Sequence, residues 1–281
     1  MPELPEVETV KEALNQTVKG QTIKEIELRY EPMVKNMSAD EFKEKLINQT
    51  IQAVSRRGKY LVFHFDDYQL LSHLRMEGKY FYVDSDFELN PHVHVIFTLE
   101  NGKRLLYQDT RKFGTYHLYD KAIDLETTAP FQVLGLEPFA TEFTPSYVKE
   151  KIQNKKKPIK SLLLDQTIVC GLGNIYVDEV LYRARLHPLT SSSELTDKDI
   201  ENVVKYTVEV LARAIELGGT TIRTFSSSHG VSGTFQNELL VHQRKGENCY
   251  ECHTPIEKIK VGGRGTYFCP TCQKLTVKEM K

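Results

Sequence analysis

Met1-Pro2-Glu3-Leu4-Pro5-Glu6, the first six residues, couple a helix start to reactive chemistry. A proline directly after the initiator methionine allows that methionine to be trimmed, which leaves a secondary amine on Pro2. An α-amino group has an ordinary pKa of about 7.7–8.0, so a useful fraction is unprotonated at neutral pH. Attack by a secondary amine on a sugar C1′ gives an iminium that stays positive whatever the pH. That charge is an electron sink for breaking bonds at the neighbouring carbon. Glu3 and Glu6 add carboxylates suited to general acid–base work, and the same acids also complement the dipole of a first helical turn. Val7, Val10, Leu14 and Val18 recur at helical spacing before Gly20, so a helix is expected over residues 5–19.

A chain of 281 residues with 40% hydrophobic and 27% charged residues has the length for two domains, each with its own core. No apolar run approaches the roughly 18 residues of a membrane span, and the N-terminus lacks a basic-then-apolar signal pattern. A cytoplasmic protein is expected. The net charge is −1, so any nucleic-acid surface must come from locally concentrated positive charge.

After the first helix the period changes. Ile26 to Tyr30 alternates as a strand, and Ser38-Ala39-Asp40-Glu41 is a capping box for a short helix ending near Asn48. From Ile51 to Asp120 the signals are mostly β, with a turn at Asp66-Asp67 and a hairpin at Asn101-Gly102. Many strands after one helix imply a β-sandwich with helices at its edge. Arg56-Arg57-Gly58-Lys59 is a basic turn before a strand. Met76 sits in the turn His73-Leu74-Arg75-Met76-Glu77-Gly78, and Asp109-Thr110-Arg111-Lys112-Phe113-Gly114 pairs an arginine with an aromatic. A methionine in such a place is ordinarily core filler, but an apolar wedge serves any protein that takes a base out of the stack. His92 reads either as a polar contact or as a strand histidine satisfied by a neighbour.

Residues 121–145 lack a period and read as a linker. Thr144-Pro145-Ser146 opens a helix that runs into Lys155-Lys156-Lys157-Pro158-Ile159-Lys160. An apolar helix is then expected from Ile159 up to Gly171-Leu172-Gly173-Asn174, and a second follows at once. The glycines permit a tight turn with backbone amides open to an anion at the next helix's start. A further helix begins at Thr196, with Ile200, Val203, Val204, Val208, Leu211 and Ile215 as its buried face and Gly218-Gly219 as its end. Residues 218–235 are rich in Gly, Ser and Thr and read as a mobile loop, of a length that is usually functional or disordered.

Cys249-x2-Cys252 and Cys269-x2-Cys272, sixteen residues apart, fit a four-cysteine zinc ribbon, and four thiolates leave no open position, so the one zinc ion is structural. Residues 238–281 hold eight Lys/Arg against five Asp/Glu, and Gly262-Gly263-Arg264-Gly265-Thr266 reads as a hairpin tip whose arginine can grip phosphate.

In order and wording, these motifs resemble the bacterial formamidopyrimidine-DNA glycosylase family along the whole chain. The carriers are Pro2 to Thr9, the Met76/Arg111/Phe113 trio, Ile159 to Glu179 and the cysteine ribbon. The resemblance implies a multidomain α+β fold. Its parts are an N-terminal catalytic β-sandwich over 1–130, a helix–two-turn–helix DNA-binding domain over 131–235 with a lesion loop at 218–235, and a zinc-finger hairpin over 236–281. It implies a monomeric base-excision-repair enzyme acting on damaged double-stranded DNA, a bifunctional glycosylase and lyase for oxidised purines. Pro2 would be the nucleophile and Glu3 the acid–base, with Lys59 and Arg264 assisting elimination. Met76, Arg111 and Phe113 would fill the void left by the everted base. His92, Lys155 and Asn174 would contact DNA, and Thr220 to Phe225 would fold over the base. The endonuclease VIII branch, which takes oxidised pyrimidines, and a non-catalytic damaged-DNA binding module are the alternatives.

Overall fold

In the computed structural model, which describes residues 1–220, 225–226 and 233–275, α1 (Leu4–Thr17) starts through a reciprocal capping box. The Glu3 N–H donates to Glu6 Oε2 at 2.9 Å, and the Glu3 side chain receives the Glu6 N–H. Leu4, Val7, Val10 and Leu14 are buried along one face. The chain then forms β1 (Ile23–Leu28) and α2 (Ala39–Leu46), whose N-cap Ser38 accepts from the Glu41 N–H. Seven strands follow: β2 (Ala53–Arg57), β3 (Tyr60–His64), β4 (Tyr68–His73), β5 (Lys79–Val83), β6 (Val93–Leu99), β7 (Arg104–Gln108) and β8 (Thr115–Asp120).

They make two sheets. One has the order β2-β3-β4-β8. The other runs β1-β6-β7-β5 and is extended by the two-residue β9 (Phe225–Ser226), parallel to β5. Asn101-Gly102 lies in the β6–β7 hairpin, where Gly102 takes a φ of +82°. Leu61, Phe63, Tyr80, Phe97, Tyr107, Tyr116 and the α1 face share one core, so α1 is pinned by its apolar stripe and its N-terminus is fixed with it.

The described chain divides into two compact units, Met1–Gln132 with Leu217–Thr234, and Val133–Glu216 with Phe235–Lys281. Of the segment 218–235, expected with the helical region, the described residues 218–220, 225–226 and 233–234 cluster by contact with the first unit. The reason is visible at its start, where Thr220 N and Oγ1 bond to Glu6 Oε1 at 2.8 and 3.1 Å.

The second unit begins with α3 (Pro145–Ile152), capped by Thr144, which accepts from the Tyr147 N–H. The apolar helix expected from Ile159 up to the glycines is shorter: α4 covers only Ile159–Leu163. Two turns replace the rest. Asp165 Oδ1 accepts from the N–H and hydroxyl of Thr167, and the Gln166 carboxamide donates to the Leu164 and Leu172 carbonyls while accepting from the Gly171 N–H. Side chains that satisfy local backbone groups compete with the helix. After α5 (Asn174–Arg183), α6 (Asp197–Glu216) starts at Thr196, which exchanges hydrogen bonds with Asp199. Its buried face is Ile200, Val203, Val204, Thr207, Val210, Leu211 and Ala214. Val208 and Ile215, expected there, are only half-buried on its shoulder. The unit closes with the antiparallel pair β10 (Glu257–Val261) and β11 (Arg264–Phe268). Their turn is Gly262-Gly263, both at positive φ, so Arg264 begins a strand and Thr266 is buried rather than part of the tip. Among the described residues no helix is long and apolar enough to cross a membrane.

Candidate active site and nucleic-acid interface

The start of α1 holds the first candidate residues. Pro2 is buried, and Glu3 is 2% exposed. Glu6 was expected to share the acid–base work, but both its oxygens are engaged. Oε2 takes the Glu3 N–H, and Oε1 takes Thr220. Glu6 therefore tethers the chain start to the segment that begins at Leu217. Gly219 completes this tether: at a φ of +75° it lies so close that a Cβ would meet Glu6 Oε1 at 2.7 Å. Sequence reasoning missed this role because the contact spans 214 residues.

The basic turn before β3 divides by partner. Arg56 Nε donates to Glu8 Oε2 at 2.7 Å, and Arg57 grips both oxygens of Glu126 at 2.8 and 3.1 Å. Lys59 is buried, next to a residue the sequence reading passed over. His73, at the end of β4, pairs with Tyr60 across the sheet and accepts the Arg75 N–H on Nδ1 at 2.9 Å. Burial first, then the positive charges of Arg75 and Lys59, push its pKa down to about 3. It is a neutral imidazole beside a buried ammonium.

Two turns carry the trio. Met76 is half-buried in the turn closed by the Gly78 N–H to the Leu74 carbonyl, with Arg75 at a φ of +53°. In the other turn, the buried Asp109 carboxylate collects the N–H groups of Arg111, Phe113 and Gly114 at 2.8–3.0 Å. His94 Nε2 bonds the Asp109 carbonyl, while the Asp109 N–H donates to the His92 carbonyl. This scaffold leaves Phe113 51% exposed, with the Arg111 guanidinium 4.7 Å from its ring centre. The exposed ring and the cation over it make one rigid, solvent-facing pair. His92 lies just before β6 and is exposed, so the buried strand histidine is its neighbour His94.

In the second unit, Asn174 is the first residue of α5, whose N-cap is Gly173. Gly171 turns at a φ of +96° just before that helix. Asn174 Nδ2 donates to the Gly265 carbonyl at 2.9 Å, joining this turn to the residue after Arg264. Asp178 on α5 strengthens the join. Its carboxylate accepts from Lys160 Nζ at 2.7 Å and from the Tyr267 N–H at 3.2 Å, with His242 Nδ1 at 2.7 Å. Arg264 itself is exposed. Lys155 lies beyond the end of α3, 3.9 Å from Asp165. Cys170 is buried, and its thiol donates to Glu137.

The four remaining cysteines are free thiols whose sulfurs lie within 4.8 Å of one another. Zinc–sulfur bonds of about 2.3 Å in a tetrahedron put sulfurs roughly 3.8 Å apart; the Cys249–Cys272 pair is at 3.9 Å and the Cys252–Cys269 pair at 3.3 Å. The donor set fits one structural zinc ion. Tyr182 Oη lies 3.1 Å from Cys249 Sγ, which orients that ligand from α5.

Comparison with known proteins agrees along the chain. Residues 1–116 match the formamidopyrimidine-DNA glycosylase N-terminal domain, residues 134–226 its H2TH domain, and residues 246–275 the zinc finger found in FPG and IleRS. The formamidopyrimidine-DNA glycosylase of Bacillus licheniformis is 48% identical over 275 residues, 98% of this chain and 100% of that protein. That of Exiguobacterium sibiricum is 49% identical over 278 residues, covering 99% and 100%. A Lactococcus lactis FPG mutant, solved in complex with Fapy-dG containing DNA, superposes with a TM-score of 0.91 at 44% identity, covering 97% of this chain and 100% of that one. The Lactococcus lactis Fpg with abasic-site DNA gives 0.90 at 44%, covering 97% and 99%. The chain belongs to the formamidopyrimidine-DNA glycosylase family.

Proposed function

We propose that Pro2, once Met1 is removed, is the nucleophile with which this base-excision-repair glycosylase releases oxidised purines from duplex DNA. In the full chain the Pro2 nitrogen is an amide to Met1, so trimming is a condition of activity. The observation that carries the reading is the pairing of Pro2 with a buried carboxylate, Glu3, on a helix start locked by Glu6 and Thr220. The amine attacks C1′ of the everted nucleotide and the base leaves with the C1′–N electron pair, taking up the amine proton; the nitrogen's electron pair then breaks C1′–O4′ while Glu3 protonates the ring oxygen. The resulting iminium acidifies C2′–H. Loss of that proton expels the 3′ phosphate, and a second elimination expels the 5′ phosphate. Water then returns the amine. Lys59 and Arg264 would hold the flanking phosphates, with His92, Lys155 and Asn174 as further DNA contacts.

Met76, Arg111 and Phe113 would occupy the vacated stack, where unstacking costs a few kcal/mol. The sandwich would act as catalytic domain, the H2TH region as DNA grip and residues 236–281 as the zinc hairpin, in a cytoplasmic monomer that associates with the nucleoid when bound to DNA. Of Thr220 to Phe225, expected to fold over the base, residues 221–224 lie outside the described residues, as do 227–232 of the wider lesion loop 218–235.

Borohydride trapping on an 8-oxoguanine duplex, followed by mass mapping, tests this. The expected result is one covalent adduct at Pro2 and none with Glu3→Gln. A Glu3→Gln protein with full base release would refute the assignment of Glu3, and an adduct elsewhere that of Pro2. Comparing turnover on thymine-glycol duplexes separates the endonuclease VIII reading.

A further inference from the structure

Tyr107 of β7 lies under both wedge-bearing turns. Its ring is 1% exposed and packs edge-on against Tyr80 at 5.2 Å and tilted against Tyr116 at 5.5 Å. Among the described residues its hydroxyl, in contrast to those two, makes no hydrogen bond of normal geometry. Burial, then the nearby Asp109 carboxylate, pushes the phenol pKa well up, so it stays an uncharged O–H. The placement of that oxygen is what both turns share. A Cβ on Gly78 would lie 2.4 Å from it, and one on Gly114 only 1.7 Å. Gly78 closes the Met76 turn, and Gly114 ends the turn that displays Arg111 and Phe113. Glycine is required at both positions because the phenol fills the space a side chain would take. At Gly114 all three nearest atoms belong to Tyr107; at Gly78 the Leu74 backbone is also in the way.

We infer that Tyr107 is a positioning residue whose buried phenol sets the Met76 turn and the Arg111–Phe113 turn in one fixed register, so that the three void-filling groups enter the duplex as a preformed unit. The inference rests on the wedge role given to these three residues above. A hydroxyl buried without a hydrogen bond of normal geometry carries a cost that a phenylalanine would avoid, and the oxygen's contact with both turns is what it provides in return. Without it each turn keeps its own closing hydrogen bonds but loses the common floor, and wedge insertion then has to order the two turns during the reaction.

The test is Tyr107→Phe, read by two assays that need the wedge differently. The first is stopped-flow fluorescence of 2-aminopurine placed beside 8-oxoguanine in a duplex, which reports unstacking. The second is borohydride trapping on single-stranded DNA with a preformed abasic site, where there is no stack to enter. The expected result is unstacking slowed about tenfold, as for one lost positioning contact, with single-strand trapping unchanged. Wild-type unstacking by Tyr107→Phe overturns the inference, and so does an equal fall in both assays, which would make the hydroxyl merely structural. Gly114→Ala supplies a second arm. It should impair unstacking in the wild-type background and less so combined with Tyr107→Phe, and strictly additive effects overturn the inference as well. Wild-type protein with no unstacking signal would instead fail the wedge reading itself.

Discussion

His73 shows how one buried residue couples the sheet to the candidate site. Its ring meets Tyr60 edge-on at 4.4 Å, and its Nδ1 is committed to the Arg75 N–H. With the pKa pushed down to about 3 in the folded chain against about 6.5 unfolded, the unfolded chain binds a proton that the folded one refuses. Stability therefore falls as pH drops from about 6.5 toward 3, by at most about 1.4 kcal/mol per pH unit from this group. His64 and His117 are shifted the same way by burial, so the contribution of His73 is the difference between proteins. Urea unfolding of His73→Gln should lose less stability than wild type between pH 6.5 and 4.5, and parallel curves would show that another group titrates. Gly219 makes a second prediction at this scale. A Cβ there combines a φ of +75° with a 2.7 Å approach to Glu6 Oε1, so Gly219→Ala should cost about 1–3 kcal/mol in chemical denaturation. A stability loss below a few tenths would mean the tether gives way without strain. Neither residue's role was legible in the sequence. Pro2, Glu3 and Glu6 announce a site by their types, but only the contact with Thr220 distinguishes Glu6 as a tether.

At the scale of elements, local rules carried well where the partner was close in the chain. Ser38, Thr144 and Thr196 each receive the cap bond that their spacing implied, and Asn101-Gly102 turns the hairpin. The failure at α4 is equally local in its cause: Leu162, Leu163 and Leu164 prolong the helical pattern, while Asp165 and Gln166 spend their side chains on the backbone and stop it. Asp109 is the strongest case. One carboxylate, 1% exposed, takes three N–H groups, so the turn that displays Arg111 and Phe113 is held by a side chain whose sequence neighbours gave no hint of burial. Asp109→Ala would leave these donors without their acceptor, at about 1–3 kcal/mol for each that water cannot reach. The expected outcome is a loss of about 2–4 kcal/mol in urea unfolding together with weaker damaged-DNA binding. Retained stability would mean that the turn closes by itself.

At the scale of the whole molecule, two units carry two different kinds of stability. The first has a sandwich core of α1 and two sheets. The last part of the second has little apolar mass: its cluster is Tyr182, Val241, Cys249, Ile256 and Cys269, two of which are zinc ligands. A lone two-stranded hairpin is marginal in water, whereas binding of structural zinc by four thiolates releases about 10–16 kcal/mol. The cysteine spacing made the metal site legible because its chemistry is fixed by four residues in two short pairs. What spacing could not show is that the same hairpin is bolted to α4 and α5 by bonds from Lys160 and Asn174 to the Gly265 carbonyl and from the Tyr267 N–H to Asp178. Removing zinc should therefore release β10 and β11 and, through Gly265 and Tyr267, loosen the hold on Asn174. Hydrogen exchange after exhaustive chelation, with metal loss verified, should show amides of residues 257–268 losing protection while Phe63 and Phe97 in the sandwich keep theirs. Persistence of protection at 257–268 would mean that the Asp178 network holds the hairpin without metal. Collapse of protection in the sandwich would mean that the first unit's core is not independent of it.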